Sequence, residues 1–212
     1  MLRVNEIFHS IQGESTHAGR PCVFVRLAGC NLRCRWCDSA YAFFDGHEMS
    51  VDDVVRAVEG YRCPLVEITG GEPLLQPDAR PLMRILRDRG YTVLLETGGS
   101  LPIREVPEGV IRILDIKCPG SGEAERNLWE NLEVLGPRDE IKFVIANRDD
   151  YTWASRIVRE RALGDRLTVL FAPVQDGLAP RDLARWILDD RLPVRLQVQI
   201  HKLLWPGVLR GV

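Results

Sequence analysis

Residues Cys22 to Ser39 read CVFVRLAGCNLRCRWCDS: a short apolar run that stops at Gly29 and hands the chain to three closely spaced cysteines. β-branched and aromatic residues in so short a run, ended by glycine, predict a buried strand, with the cysteines in the loop beyond its carboxyl end. The pattern recurs. Leu65–Thr69, Thr92–Glu96, Ile111–Ile116, Glu140–Ile145 and Leu167–Ala172 are further apolar runs, each followed by Gly, Asn or Pro. Between or after them lie helical patterns at Ser50–Gly60, with Ser50 as N-cap and two acids in the first turn, at Asp78–Arg89 ending at Gly90, and at Ala124–Leu135, Asp149–Leu163 and Pro180–Asp189. Strand alternating with helix implies right-handed crossovers and a mostly parallel sheet. A complete eightfold barrel takes roughly 250 residues. The 212 residues here therefore predict an α/β fold with a partial TIM-like barrel of about six strands and helices outside, in one domain spanning residues 1–212.

Composition narrows the function. Hydrophobic residues at 45% and charged residues at 27% are ordinary globular values, which exclude a disordered chain or a disulfide miniprotein. A net charge of -2 offers no basic surface for nucleic acid, so a small-molecule substrate fits better. No run reaches the roughly 18 apolar residues that span a bilayer, and MLRVNEIFHSIQGE lacks the order of a signal peptide, so the expected location is the cytoplasm. Thiols stay reduced there, and six cysteines then point to metal or catalysis before disulfides.

Cys30, Cys34 and Cys37 form a CxxxCxxC loop, while Cys22, Cys63 and Cys118 read as small core or loop residues. A structural zinc site closes with four ligands, and no second CxxC or His pair lies near. An iron–sulfur cluster held by three thiolates keeps one iron open to an external ligand. Where parallel strands carry chemistry, it gathers beyond their carboxyl ends. GCNLRCRWCDS, TGGEP, ETGG and DIKCPGSG follow the first four predicted strands in that order.

With Thr69-Gly70-Gly71-Glu72-Pro73 beside the cysteines, the sequence resembles the radical S-adenosylmethionine (SAM) superfamily, in which such a loop holds a [4Fe–4S] cluster and SAM takes the open iron. Ile11-Gln12-Gly13-Glu14, Arg26 and Cys37-Asp38-Ser39 narrow the likeness to the 7-carboxy-7-deazaguanine synthases of the queuosine pathway. The match runs from Asn5-Glu6-Ile7-Phe8 to Gln199-Ile200-His201-Lys202. The resemblance implies conversion of 6-carboxy-5,6,7,8-tetrahydropterin to 7-carboxy-7-deazaguanine with loss of ammonia, a homodimer, and a reducing partner such as a flavodoxin or ferredoxin.

It also implies site residues. Cys30, Cys34 and Cys37 would hold the cluster. Trp36, Cys37, Asp38, Gly71, Glu72, Asp115 and Lys117 would border SAM, with Asp115-Ile116-Lys117 standing where other members carry Ser-Pro-Lys. Ile11, Gln12, Gly13, Glu14 and Thr69 would meet the pterin, and Arg26 would pair its planar fork with the carboxylate. Ser39 would be a hydroxyl ligand of Mg2+, where many members have Thr. No catalytic residue is assigned beyond cluster and SAM. Two rival readings share parts of this pattern: another radical SAM enzyme such as a glycyl-radical activase, and a non-enzymatic iron–sulfur or zinc module.

Overall fold

In the computed structural model, which describes residues 1–212, all six expected strands stand side by side in one nine-stranded sheet. In chain order the strands are β1 (Leu2–Ile11), β2 (Pro21–Leu27), β3 (His47–Met49), β4 (Leu65–Gly70), β5 (Thr92–Thr97), β6 (Ile111–Ile116), β7 (Glu140–Ile145), β8 (Thr168–Pro173) and β9 (Arg195–Leu196). The sheet order is β3-β1-β2-β4-β5-β6-β7-β8-β9. From β2 to β9 every pair is parallel, whereas β1 runs antiparallel to β2 and β3 antiparallel to β1. Three strands were therefore added to the six expected, and the mostly parallel character stands.

The sheet curls. The loop after β1 reaches across to the opposite end, where Thr16 donates its N–H and its hydroxyl to the Glu140 carboxylate at the start of β7. Ser15 N–H donates to Gln197 Oε1, just after β9, at 2.7 Å. These contacts draw the two halves of the sheet together without a closing strand pair, as a partial barrel requires.

Five helices follow from local chemistry. α1 (Val51–Gly60) starts at Ser50, whose hydroxyl accepts from Asp53 N–H at 3.1 Å, and α2 (Ala79–Asp88) gives way to Gly90 at φ +88°. α3 (Arg148–Glu160) is capped by the Asn147 side chain. It is shorter than the predicted Asp149–Leu163 because Ala162 takes a left-handed φ of 47°. α4 (Pro180–Asp189) has proline at its first position, and α5 (Ile200–Leu204) is a single short turn near the end of the chain.

The predicted helix at Ala124–Leu135 is absent; two short 3-10 turns, Ala124–Arg126 and Trp129–Glu133, replace it. Two asparagines explain this. Asn127 brackets Lys117 through its N–H and C=O, at 2.9 Å each. Asn131 accepts from Ile103 N–H and donates to the Gly99 and Leu101 carbonyls. Side chains that serve distant backbone in this way hold the segment against the strand-end loops and out of a continuous helix.

The two faces of the sheet differ. Val66, Ile68, Val93, Leu95, Leu114, Ile116, Ile141 and Phe143 are buried and belong to one apolar cluster with the helices. Each fully buried side chain of this size stabilises the fold by roughly 1.5–3 kcal/mol. The alternate positions carry Arg26, Glu67, Thr69, Glu96, Asp115 and Lys142, which strand register sets side by side on the inner face.

Candidate active site

The cysteine loop begins where β2 ends. Gly29 turns the chain at φ +91° and donates its N–H to Ala42 O, while Leu32, 2% exposed, anchors the loop in the core. Asn31 exchanges hydrogen bonds with Ser100, Arg33 N–H donates to Glu123 Oε1 at 2.7 Å, and Arg35 N–H donates to Ser121 O at 3.0 Å. The loop is thus pinned by the segments that follow β5 and β6.

Cys30, Cys34 and Cys37 are free thiols, each partly exposed, whereas Cys22, Cys63 and Cys118 are buried. Burial raises all three loop thiols, Cys34 to about 11, and Lys117 pulls each the other way. Thiolates needed for metal would form as protons leave on coordination. No three His, Cys, Asp or Glu side chains converge on a single ion position. A cube asks for something else, since each of its three cysteines serves a different iron.

The TGGEP segment lies against this loop so closely that it admits only glycine. A Cβ on Gly70, which sits at φ +143°, would stand 2.1 Å from Leu27 O; one on Gly71 would stand 2.1 Å from Gly29 O and 2.8 Å from Cys30 Cβ. Gly71 N–H donates to Leu27 O and Glu72 N–H to Gly29 O, at 3.1 and 2.8 Å. The Glu72 carboxylate is buried and occupied: it accepts from Leu74 N–H, Gly98 N–H and the Thr97 hydroxyl. Its side chain locks TGGEP to ETGG, so any contact of Glu72 with a ligand falls to its backbone.

A charged network fills the inner face. Lys142 bonds Glu14 at 2.9 Å and Glu96, and approaches Asp115 at 3.5 Å. Lys117 pairs with the same Asp115 oxygen at 3.0 Å, which joins the cysteine side of the site to the strand interior. Burial alone would lower the Lys142 ammonium, but Glu14, Glu96 and Asp115 raise its pKa well above the usual lysine value. Burial would raise Glu14; Lys142 and the Gln199 amide outweigh it and hold the carboxylate below its ordinary range.

The predicted first loop lies beside this network, closed from above by the chain's last helix. Gly13 is a close approach, since a Cβ there would meet His201 Nδ1 at 2.0 Å, and Ile200 N–H donates to Gly13 O at 3.1 Å. Gln199 donates to Glu14 Oε1 at 2.8 Å and to Asp38 Oδ2 at 3.3 Å, and Lys202 pairs with Asp38 at 2.8 Å. Burial would raise Asp38; Lys202 with the Ser39 and Gln199 hydrogen bonds takes it well below the usual carboxylate range instead. Ser39 donates to Asp38 Oδ1 at 2.9 Å.

Arg26 stands beside Thr69 in the β2–β4 register. Its Nε donates to Glu6 Oε1 at 2.8 Å, and its guanidinium lies 5.7 and 5.8 Å from the Phe8 and Tyr41 ring centres. Glu6 thus orients the fork through Nε and leaves the end edge formed by the two terminal nitrogens without a hydrogen bond to the protein. Ile11 and Trp36 sit at the margin, partly exposed, Ile11 paired with Pro21.

The sequence reading assigns no role to Glu67, Glu96, Gln197, Gln199 or His201, and takes Lys142 and Lys202 only as two of three lysines that end short apolar patterns, as compact charges near the pocket. A signal exists for the strand members. Each is an acid or lysine set inside an apolar run, as in VEIT, LLET and EIKF.

A curled parallel sheet with three cysteines beyond its β2 strand and a glycine-only turn beyond β4 has the design of a radical SAM enzyme, and the family model described as the Radical SAM superfamily matches residues 25–116. Such enzymes use a [4Fe–4S] cluster and SAM. The chain is 46% identical to the 7-carboxy-7-deazaguanine synthase of Koribacter versatilis, over all of both chains. It is 47% identical to that of Chlorobaculum tepidum, over all of this chain and 97% of the relative. The crystal structure of QueE from Escherichia coli has the same fold, with a TM-score of 0.71 at 23% identity over 93% of each chain. The chain belongs to the 7-carboxy-7-deazaguanine synthase family.

Proposed function

We propose that the enzyme converts 6-carboxy-5,6,7,8-tetrahydropterin to 7-carboxy-7-deazaguanine with loss of ammonia, toward queuosine, in the cytoplasm. One observation carries this reading. The contacts Lys142–Glu14–Gln199–Asp38–Lys202 join strand interior, first loop, cysteine loop and last helix around one polar chamber. A site lined by opposed charges and amides suits a small polar heterocycle.

The donor set fits the cofactors. Cys30, Cys34 and Cys37 would bind three irons, and cluster and SAM, when bound, supply the reducing and hydrogen-abstracting chemistry. Asp115 Oδ1 is buried without a partner beside Lys117, an acceptor that a ribose hydroxyl of SAM would satisfy. Trp36, Cys37, Asp38 and the Gly71-Glu72 backbone would border the rest of SAM. Ser39 and Asp38 present adjacent hard oxygens, which suit Mg2+.

For the substrate, Ile11, Gln12, Gly13 and Glu14 would hold the pterin, with Thr69 below it and the free edge of the Arg26 guanidinium on its carboxylate. Lys142 keeps its proton on Nζ, Glu14 stays ionised, and burial keeps His201 neutral over Gly13. The last helix lies against the first loop at Gly13. A homodimer and a flavodoxin or ferredoxin as reductant complete the proposal. Anaerobic reconstitution with iron and sulfide, then incubation with the carboxypterin, SAM and dithionite, tests it: the product's mass should be that of the deazaguanine. Cluster-loaded enzyme that cleaves SAM but yields no deazapurine would refute it.

A further inference from the structure

Glu67 has no place in the reading above, yet it lies on the inner face between Phe24 of β2 and Leu94 of β5 and is 4% exposed. Lys142, the nearby cation, is committed to Glu14, Glu96 and Asp115 and forms no ion pair with it. The partner of Glu67 is an amide: Gln12 Nε2 donates to Glu67 Oε2 inside the protein. The other end of that amide, Gln12 Oε1, accepts from Glu14 N–H at 3.0 Å. An acceptor on one side and a donor on the other leave the amide one orientation, with one N–H and one lone pair of Gln12 unspent.

We propose that Glu67 is a positioning residue for substrate binding, which fixes the Gln12 side chain so that its remaining donor and acceptor face the chamber. The inference rests on the reading that Gln12 meets the pterin. Burial first, then the neighbouring Glu96 and Glu14 carboxylates, push Glu67 well above the ordinary carboxyl range, against the weaker pull of Gln12 and Lys142. Glutamine is the near-isosteric replacement that keeps a carbonyl acceptor at this position.

That equivalence gives the test, on cluster-loaded enzyme with carboxypterin, SAM and dithionite. Glu67→Leu should raise KM for the pterin about tenfold, the worth of one oriented hydrogen bond, with kcat and substrate-free SAM cleavage little changed. Glu67→Gln, which keeps an acceptor for Gln12, should restore KM. In a Gln12→Ala background Glu67→Leu should have no further effect, because the positioned group is gone. If leucine prevents folding, Glu67→Thr, suited to a strand and too short to reach Gln12, serves the same comparisons. A parental KM in Glu67→Leu while Gln12→Ala raises KM overturns the positioning role alone. A parental KM in Gln12→Ala overturns the pocket reading beneath it. A collapse of kcat in Glu67→Gln at parental KM makes Glu67 a proton-transfer group and also overturns the proposal, as does a KM rise from Glu67→Leu that persists in the Gln12→Ala background.

Discussion

Replacing Lys142 with methionine removes the cation shared by Glu14, Glu96 and Asp115 and keeps the side chain's length and volume. The lysine side chain is 7% exposed and its three partners are 19%, 25% and 10% exposed, so water reaches the orphaned carboxylates poorly. Breaking a buried pair costs about 3–5 kcal/mol, and at about 2–4 °C per kcal/mol for a chain of this size the melting temperature should fall by about 6–20 °C near neutral pH. The pH dependence is the sharper test. In the parent, Glu14 titrates below its unfolded value, so it contributes stability above that value and loses it as pH falls through the folded pKa. With methionine at position 142 the burial contribution dominates, the folded pKa rises above the unfolded one, and protonation favours folding as pH falls. The deficit should therefore shrink between about pH 8 and about pH 5. Thermal melts of cluster-loaded parent and variant, followed by circular dichroism across that range, measure it. A deficit that stays constant or grows toward acid, or one under about 1 kcal/mol at neutral pH, would show that the network is not what stabilises this face.

Three further outcomes are expected. Arg26→Ala should lower kcat/KM for the carboxypterin by about 30- to 150-fold, equivalent to about 2–3 kcal/mol from a charge-assisted contact, while SAM binding followed by EPR is unchanged; unaltered turnover removes Arg26 from substrate binding. Gly71→Ala forces a methyl into Gly29 O and Cys30 Cβ, so the cysteine loop must shift and iron content per chain should drop; full iron loading with parental absorbance contradicts the close approach. Glu72→Gln places an NH2 group where the carboxylate accepts from Leu74, Thr97 and Gly98. It should cost about 1–3 kcal/mol of stability, read as a lower melting temperature, and a neutral result would mean that this junction does not hold the two loops.

The six central strands were legible because both their faces are covered, so each reads as a short apolar run closed by a turn residue. β1 was harder to see. In LRVNEIFHSI the polar residues fall on both faces, and β3 and β9 are too short for any period to show. The Ala124–Leu135 pattern has helical spacing, but the work of Asn127 and Asn131 is done on partners that spacing does not reveal. In the site, the cysteines and the glycine turn are local motifs and were found as such. Glu14 with Lys142, and Glu14 with Gln199, are 128 and 185 residues apart, so only the folded chain makes a pair of them.

The one-sided sheet bears on how such an enzyme acquires a new substrate. Because positions 67, 96, 115 and 142 lie outside the apolar cluster that holds sheet and helices together, exchanges there leave that cluster's own side chains in place. What those positions must conserve is electrical balance. Evolution or a protein engineer can therefore retune selectivity by swapping acids and bases in matched sets, with a lone swap penalised and its compensated double tolerated.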